Sequence, residues 1–262
     1  MTHLTLCEVA HTGLDHLESF SPFCLKVHRA LRYAGLAYDS EHGKHPGSFK
    51  HHNPAGQVPV LLVGDEPVCD STRIVERIER LAGAPLHGGL APDVVASARL
   101  WEAMADTALN GFVVAARWAD DANWPRAKAA FFHEAPRLIC ALISPRLRSN
   151  VIRGLVARDV WRAGPEACWR RFEATLDDLE GRAPGDGRYW VADRITVADL
   201  AIFAQLQSLR AEITPRQAEL VAARPRLSRY LDRVDDATRE RRPLRGPVSS
   251  PRVQEMVALL SA

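Results

Sequence analysis

Ser21-Pro22-Phe23-Cys24-Leu25-Lys26-Val27-His28-Arg29-Ala30-Leu31 reads as the start of a helix with a chemical group at its mouth. Ser21 is suited to the N-cap, where its hydroxyl accepts a bond from a first-turn amide. Pro22 suits the first helical position, where a missing N–H loses nothing. Val27, Ala30, Leu31 and Ala34 recur at helical spacing and predict one buried face. The free amides and the dipole at that end favour a negative ligand group. The spacing is that of a C-x-x-C redox motif whose first cysteine is replaced by serine. Such a site can hold a visiting thiolate but cannot close an internal disulfide. Taken singly, the stretch is equally an ordinary capped helix, so its meaning depends on what accompanies it.

The 262 residues can bury a large core in one large or two ordinary domains. The net charge of +2, with basic residues read as scattered, gives no argument for nucleic acid as a partner. No 18-residue apolar run predicts a membrane span, and no basic-then-apolar leader is visible at the N-terminus. Five cysteines, Cys7, Cys24, Cys69, Cys140 and Cys168, include no C-x-x-C pair. Free thiols in a reducing compartment are expected, hence a soluble cytoplasmic protein, with neither a disulfide scaffold nor a metal site.

In chain order, Leu4 to Val9 alternates as a first strand, and a loop over 10–20 leads to the helix, which stops near Gly35. Leu36-Ala37-Tyr38-Asp39-Ser40 is expected to be a second strand. The histidine-rich stretch from Glu41 to Asn53 reads as a solvated loop that brings positive charge near any neighbouring ligand, because no spacing in it matches a zinc motif. Asn53-Pro54-Ala55-Gly56 marks a turn, and Val58 to Val63 a buried strand with Pro59 near its start. A cis Val58-Pro59 bond would keep the preceding backbone groups out of the sheet and free for a ligand. Gly64 to Pro67 reads as a tight turn and Val68-Cys69 as the return strand. Asp70-Ser71-Thr72 caps a helix carrying Ile74, Val75, Ile78 and Leu81 on one face.

Beyond a linker at 84–92 the pattern is wholly helical. Helices are expected over 93–118, over 126–142 with a kink or division at Pro136, and over 146–161 and 165–181. Thr196 and Asp199 form a capping box before an apolar run, and shorter helices follow over 214–223 and 225–237.

This succession, β-α-β then β-β-α with a proline at the third strand's start and then an all-helical half, resembles the glutathione S-transferase superfamily. The carriers are Ser21-Pro22-Phe23-Cys24, Asn53-Pro54-x-Gly56-x-Val58-Pro59, Asp70-Ser71-x-x-Ile74 and Thr196-x-x-Asp199. The resemblance spans residues 4 to about 237 and implies a thioredoxin-like glutathione-binding domain over 1–85 and an all-helical domain over 92–240, while the proline- and arginine-rich composition of the tail predicts a C-terminal arm over 241–262. It also implies glutathione as co-substrate, a small hydrophobic electrophile as second substrate, and a homodimer. Ser21 would donate a hydrogen bond to the glutathione sulfur rather than attack, with Ser19 a rival after so long a loop. Ser71 would take the γ-glutamyl carboxylate and Asp70 its ammonium. Val58, before Pro59, would pair its backbone with the cysteinyl part beside Gln57, and Lys44 or His45 would meet the glycine carboxylate. Trp101, Met104, Ala108 and Trp118 are candidates for the electrophile pocket, or equally for core packing. Cys24 would matter chemically only if exposed. Ser21 to Lys26, Leu31 to Gly35 and Asp70-Ser71 also resemble the metaxin and failed-axon-connections branch. That leaves open a glutathione-binding or interaction protein without turnover, and also a glutathione-dependent dehalogenase or ether-cleaving lyase.

Overall fold

A computed structural model describes residues 2–10, 12–14, 17–133, 136–185 and 187–240, and the expected arm at 241–262 lies outside these described residues. The first part runs β1 (Leu4–Val9), α1 (Pro22–Tyr33), β2 (Asp39–Gly43), a 3₁₀ turn (Pro46–Phe49), β3 (Val60–Val63), β4 (Glu66–Cys69) and α2 (Ser71–Leu81). The sheet order is β2-β1-β3-β4. β2 lies parallel to β1, while β3 is antiparallel to both β1 and β4. Val9 pairs with Gly43, Cys7 with Val60, and Val60 with Cys69. The ends of β1, β2 and β4 and the start of β3 therefore share one edge of the sheet.

Two strand boundaries depart from the sequence reading. β2 begins at Asp39, because Leu36 N–H closes the helix end on Leu31 O at 3.0 Å and Tyr38 turns its hydroxyl to His28. Only from Asp39 is the backbone free to pair with β1. β4 begins at Glu66 rather than Val68, and it tolerates Pro67 because it is an edge strand.

The second part is helical. α3 (Pro92–Met104) continues through a π-turn (Ala105–Leu109), α4 (Asn110–Val114) and a second π-turn (Ala115–Ala119). α5 (Trp124–Phe131), α6 (Arg137–Ala157), α7 (Gly164–Arg182), α8 (Val197–Leu209), α9 (Pro215–Ala222) and α10 (Pro225–Thr238) follow. Pro136 does divide the 126–142 stretch, but the second piece runs on through Pro145 to Ala157, so no helix begins at 146. The carbonyl that Pro145 leaves unpaired belongs to Ala141. Both residues are exposed, so water can take the place of the lost bond.

Helix α8 is buried along almost its whole length and packs against α1, α3 and α10. Its N-terminus is fixed by the expected capping box. The Asp199 carboxylate is wholly buried and accepts from Thr196 N–H and Trp190 N–H at 2.8 and 2.7 Å, and from the hydroxyls of Thr196 and Tyr230 at 2.8 and 2.7 Å. Burial raises the carboxyl above its usual range even though these four donors oppose the shift. Replacing Asp199 by alanine removes the acceptor of four buried donor groups and should cost about 3–5 kcal/mol, whereas asparagine, which keeps an acceptor, should cost less. Urea denaturation of the two variants checks both the size and the order.

Candidate functional site

The N-cap of α1 forms as the sequence requires. Ser21 Oγ accepts Cys24 N–H at 3.3 Å, and its hydroxyl also bonds the buried Cys24 sulfur, so a ligand at the helix mouth competes with that thiol for the hydroxyl hydrogen. Ser21 is half-buried. Ser19 is buried beneath it, with its Oγ accepting Ser21 N–H at 3.3 Å. Cys24 is fully buried, and loss of solvent drives its thiol far above the ordinary range, with the charge of Glu8 adding to the effect. Its side chain has no access to solvent for redox chemistry.

Val58-Pro59 is cis, and both residues precede the paired segment of β3. Asn53 organises the turn before them: its Oδ1 accepts Ala55 N–H, and its Nδ2 donates to Gln57 O at 2.9 Å. The Gln57 side chain is exposed. Across the end of β3, Asp70 caps α2 through Oδ1, which accepts Thr72 N–H at 3.0 Å and Arg73 N–H at 3.2 Å. Both bonds fall on the same oxygen, so Oδ2 can still accept from a ligand. Asp70 has φ +76° and ψ 127°, a backbone conformation disfavoured for a side chain of its size, and the cap bonds hold it there. Ser71, the first helical residue, is buried at the mouth of α2.

Lys44 and His45 are exposed and follow directly on the end of β2. Along the shared sheet edge the stations therefore run from Asp70-Ser71 after β4, to Val58-Pro59 before β3, to the end of β1, to Lys44-His45 after β2. Ser21 reaches this region through the loop that leaves β1. Three interstrand spacings of about 4.8 Å cover about 14 Å. An extended tripeptide reaches about 10 Å, and a γ-linkage lengthens it.

The electrophile candidates divide. Trp101 packs edge-on to Trp190 at 5.1 Å, within the core that also holds Tyr230, and Met104 packs against the same core. Ala108 is exposed. Trp118 alone lies in an aromatic row that reaches the site. Its ring stacks on Phe131 at 5.1 Å, and Phe131 meets Phe20, the residue before Ser21, edge-on at 5.1 Å. All three rings are half-buried.

Three charged groups around α1 and the loop before it were missed by sequence reasoning. Arg117 is fully buried and donates to Phe20 O at 2.6 Å and Ser208 O at 2.8 Å, tying the loop before Ser21 to the helical part. Burial lowers its guanidinium to about 10, still charged at neutral pH, and among the described residues it has no carboxylate partner. Its signal was available, since it is the one charged residue in the apolar run 110–119. Glu8 shares the inward face of β1 with Leu4 and Leu6. It meets His28 Nε2 at 2.8 Å and His42 Nε2 at 3.4 Å. These partners hold its carboxyl below the usual range although burial pushes the other way. Strict alternation from Leu4 would have pointed to it. Lys26 is fully buried and reaches Glu102 at 3.0 Å and Asp106 at 2.5 Å. Glu102 also accepts the Thr72 hydroxyl, beside Ser71, at 3.0 Å. Nothing in the pattern of α1 marked this lysine. Among the described residues no cluster of His, Cys, Asp and Glu could hold a metal ion.

Residues 22–123 match the glutathione S-transferase N-terminal domain and residues 156–233 the glutathione S-transferase C-terminal domain. A curated relative, glutathione transferase GST 23 of Zea mays, is 35% identical over 96 residues, 34% of this chain and 43% of its own length, so the match spans less than half of that protein. The beta-etherase LigF from Sphingobium sp. strain SYK-6 has a similar structure, with TM-score 0.58 and 20% identity over 99% of this chain and 100% of its own. So does a glutathione S-transferase from Methylobacterium radiotolerans in complex with glutathione sulfonate, with TM-score 0.57 and 20% identity over 95% of this chain and 99% of its own. With both domain types matched in order, and with the mixed sheet and helical half these structures share, the chain belongs to the glutathione S-transferase superfamily.

Proposed function

We propose that this protein is a glutathione transferase in which the Ser21 hydroxyl stabilises the glutathione thiolate for attack on a small hydrophobic electrophile. The observation that carries the reading is the order of stations along one sheet edge. An acid and a buried serine at a helix mouth suit the ammonium and carboxylate of the γ-glutamyl end. The unpaired backbone before β3 suits the cysteinyl amide, and the Lys44-His45 pair suits the glycine carboxylate. Gln57 flanks the cysteinyl position. The proposed glutathione-binding domain is 1–85 and the proposed helical domain 92–240. A homodimer is proposed on the resemblance to the superfamily. A cytoplasmic place and a detoxifying role agree with the free thiols and the chemistry.

A thiol with an ordinary pKa near 8.5 is only about 3% ionised at pH 7, and lowering that pKa by about two units raises the thiolate fraction more than tenfold. Three groups act in that direction at the mouth of α1. The Ser21 hydroxyl donates to the sulfur, the helix end presents its amides, and Arg117 holds an unneutralised charge one residue behind. The thiolate then displaces a leaving group from, or adds to, an electrophile held against it. The carbon–sulfur bond forms from the sulfur lone pair, and no covalent bond to the protein is made. The row Phe20, Phe131 and Trp118 favours a flat, aromatic electrophile.

Calorimetric titration with glutathione tests binding, and the ultraviolet thiolate band of the bound tripeptide tests activation. Absence of binding overturns the whole reading, and binding without turnover on halide, epoxide and aryl ether substrates assigns a binding protein instead. Ser21→Ala should lower kcat/KM about a hundredfold and raise the apparent pKa of bound glutathione by one to two units, roughly, with affinity changed far less. If the band persists in that variant, the donor is another group. Arg117→Gln should raise the same pKa by about one unit, and Arg117→Lys should restore part of it. Cys24→Ser should leave turnover in place, whereas its loss would make that thiol the nucleophile.

A further inference from the structure

The charge of this chain is not spread evenly. Residues 124–158 hold seven Lys and Arg against one Glu, a net +6 in a chain of net +2, so the remainder is net negative. What sets α5, α6 and their flanks apart is scarcity of acid rather than a gathering of base, since 27 of the 34 Lys and Arg lie elsewhere in the chain. Of the eight large apolar side chains exposed among the described residues, six lie on α6. Leu138 and Leu142 are 87% and 65% exposed, and Ile139, Ile143 and Leu147 accompany them.

At 100° per residue, Leu138, Ile139, Leu142 and Ile143 fall on one side of α6. The opposite side carries Ser144 and Leu155, which are buried. The apolar residues occupy the first turns. Arg146 and Arg153 follow on the same outward side and are exposed, and α6 contains no acidic residue. The outward side of α6 thus presents exposed apolar side chains followed along the helix by arginines, a combination that suits a surface with an apolar layer beneath anionic groups.

We infer that the first half of α6 is a peripheral docking surface for an anionic lipid bilayer, with Leu138 and Leu142 entering the acyl boundary and Arg146 and Arg153 meeting lipid phosphates. The charge argues for lipid over a second copy of the chain. Two α6 faces brought together would oppose arginine to arginine with no acid on either helix to relieve them. No helix among the described residues is long and apolar enough to cross a membrane, so the contact is one of adsorption and not of insertion through it. It is independent of the glutathione site.

The test is flotation of the full chain with vesicles of phosphatidylcholine alone and of phosphatidylcholine with phosphatidylglycerol at about three to one. Wild type should float with the anionic vesicles at about 50 mM salt and be largely released at about 500 mM. Leu138→Glu/Leu142→Glu should lose at least about tenfold in partitioning. Arg146→Gln/Arg153→Gln should lose about fivefold per arginine and become insensitive to the phosphatidylglycerol content. All four positions are on the surface, so circular dichroism and unchanged melting certify the fold of both variants. Wild type that ignores anionic vesicles, or variants that bind as well as wild type, would sink the inference. A change of oligomeric state in the leucine variant by light scattering, without vesicle binding by wild type, would give the surface to a second copy.

Discussion

Everything else in the molecule depends on how α1 is neutralised. The helix is buried nearly all round, yet it carries Lys26, His28, Arg29 and Arg32. Each of these side chains meets an acid brought by another part of the fold. Lys26 meets Glu102 of α3 and Asp106 of the first π-turn. His28 meets Glu8 of β1. Arg29 meets Glu18 of the loop and Asp235 of α10, at 2.6 Å each, and Arg32 shares Glu18 at 2.9 Å. Buried ion pairs add little net stability over apolar packing, but removing one partner is costly because the other charge is stranded. What they enforce here is register. The axis of α1 is tied to sheet, loop and helical half together, so the direction of its N-terminus, and with it the place of Ser21, is fixed from all sides.

The two π-turns in the long helix have a part in this. One carries Asp106 and the other Arg117, and these two side chains cross from the helical half to α1 and to the loop before Ser21. A π-turn advances the helix face by one residue relative to a regular run. A single turn of that kind re-aims each polar side chain toward the first part of the chain while apolar neighbours such as Leu109, Ala115 and Ala116 remain in the core. The helical half therefore helps to build the site even though the resemblance drew every candidate glutathione contact from the first part of the chain.

Local chemistry made much of this legible beforehand. Ser21, Asp70 and the Thr196-Asp199 box each act on a helix start within three residues, and Pro59 acts on its own peptide bond, so the sequence carries their geometry directly. The errors come where distant chain decides. Asp39 rather than Leu36 begins β2 because Tyr38 is claimed by His28. Trp101 belongs to the core because Trp190 lies against it, which no spacing near residue 101 encodes. Lys26 reads as a surface lysine until Glu102 and Asp106, far along the chain, are brought beside it. The local charge of α5, α6 and their flanks emerges only when acids are counted by element, because that stretch of scattered base holds a single acid.

The contrast between the chain's own thiols and a visiting one follows from the same placement. Cys7 and Cys168 are pushed up to about 11 by burial, and Cys24 goes higher still with Glu8 beside it, so these thiols stay protonated and inert. Cys24 lies three residues from Ser21, yet the two positions see opposite electrostatics. Beneath the first turn, desolvation and a carboxylate resist a negative sulfur. At the mouth, in the proposed site, a hydroxyl, the helix-end amides and the Arg117 charge would favour one. A cysteine in place of Ser21 would put a second sulfur where the ligand's must sit and open a route to a mixed disulfide. Serine offers the hydrogen bond without that chemistry. In the proposed reaction, the thiolate is therefore formed on the substrate and stays there.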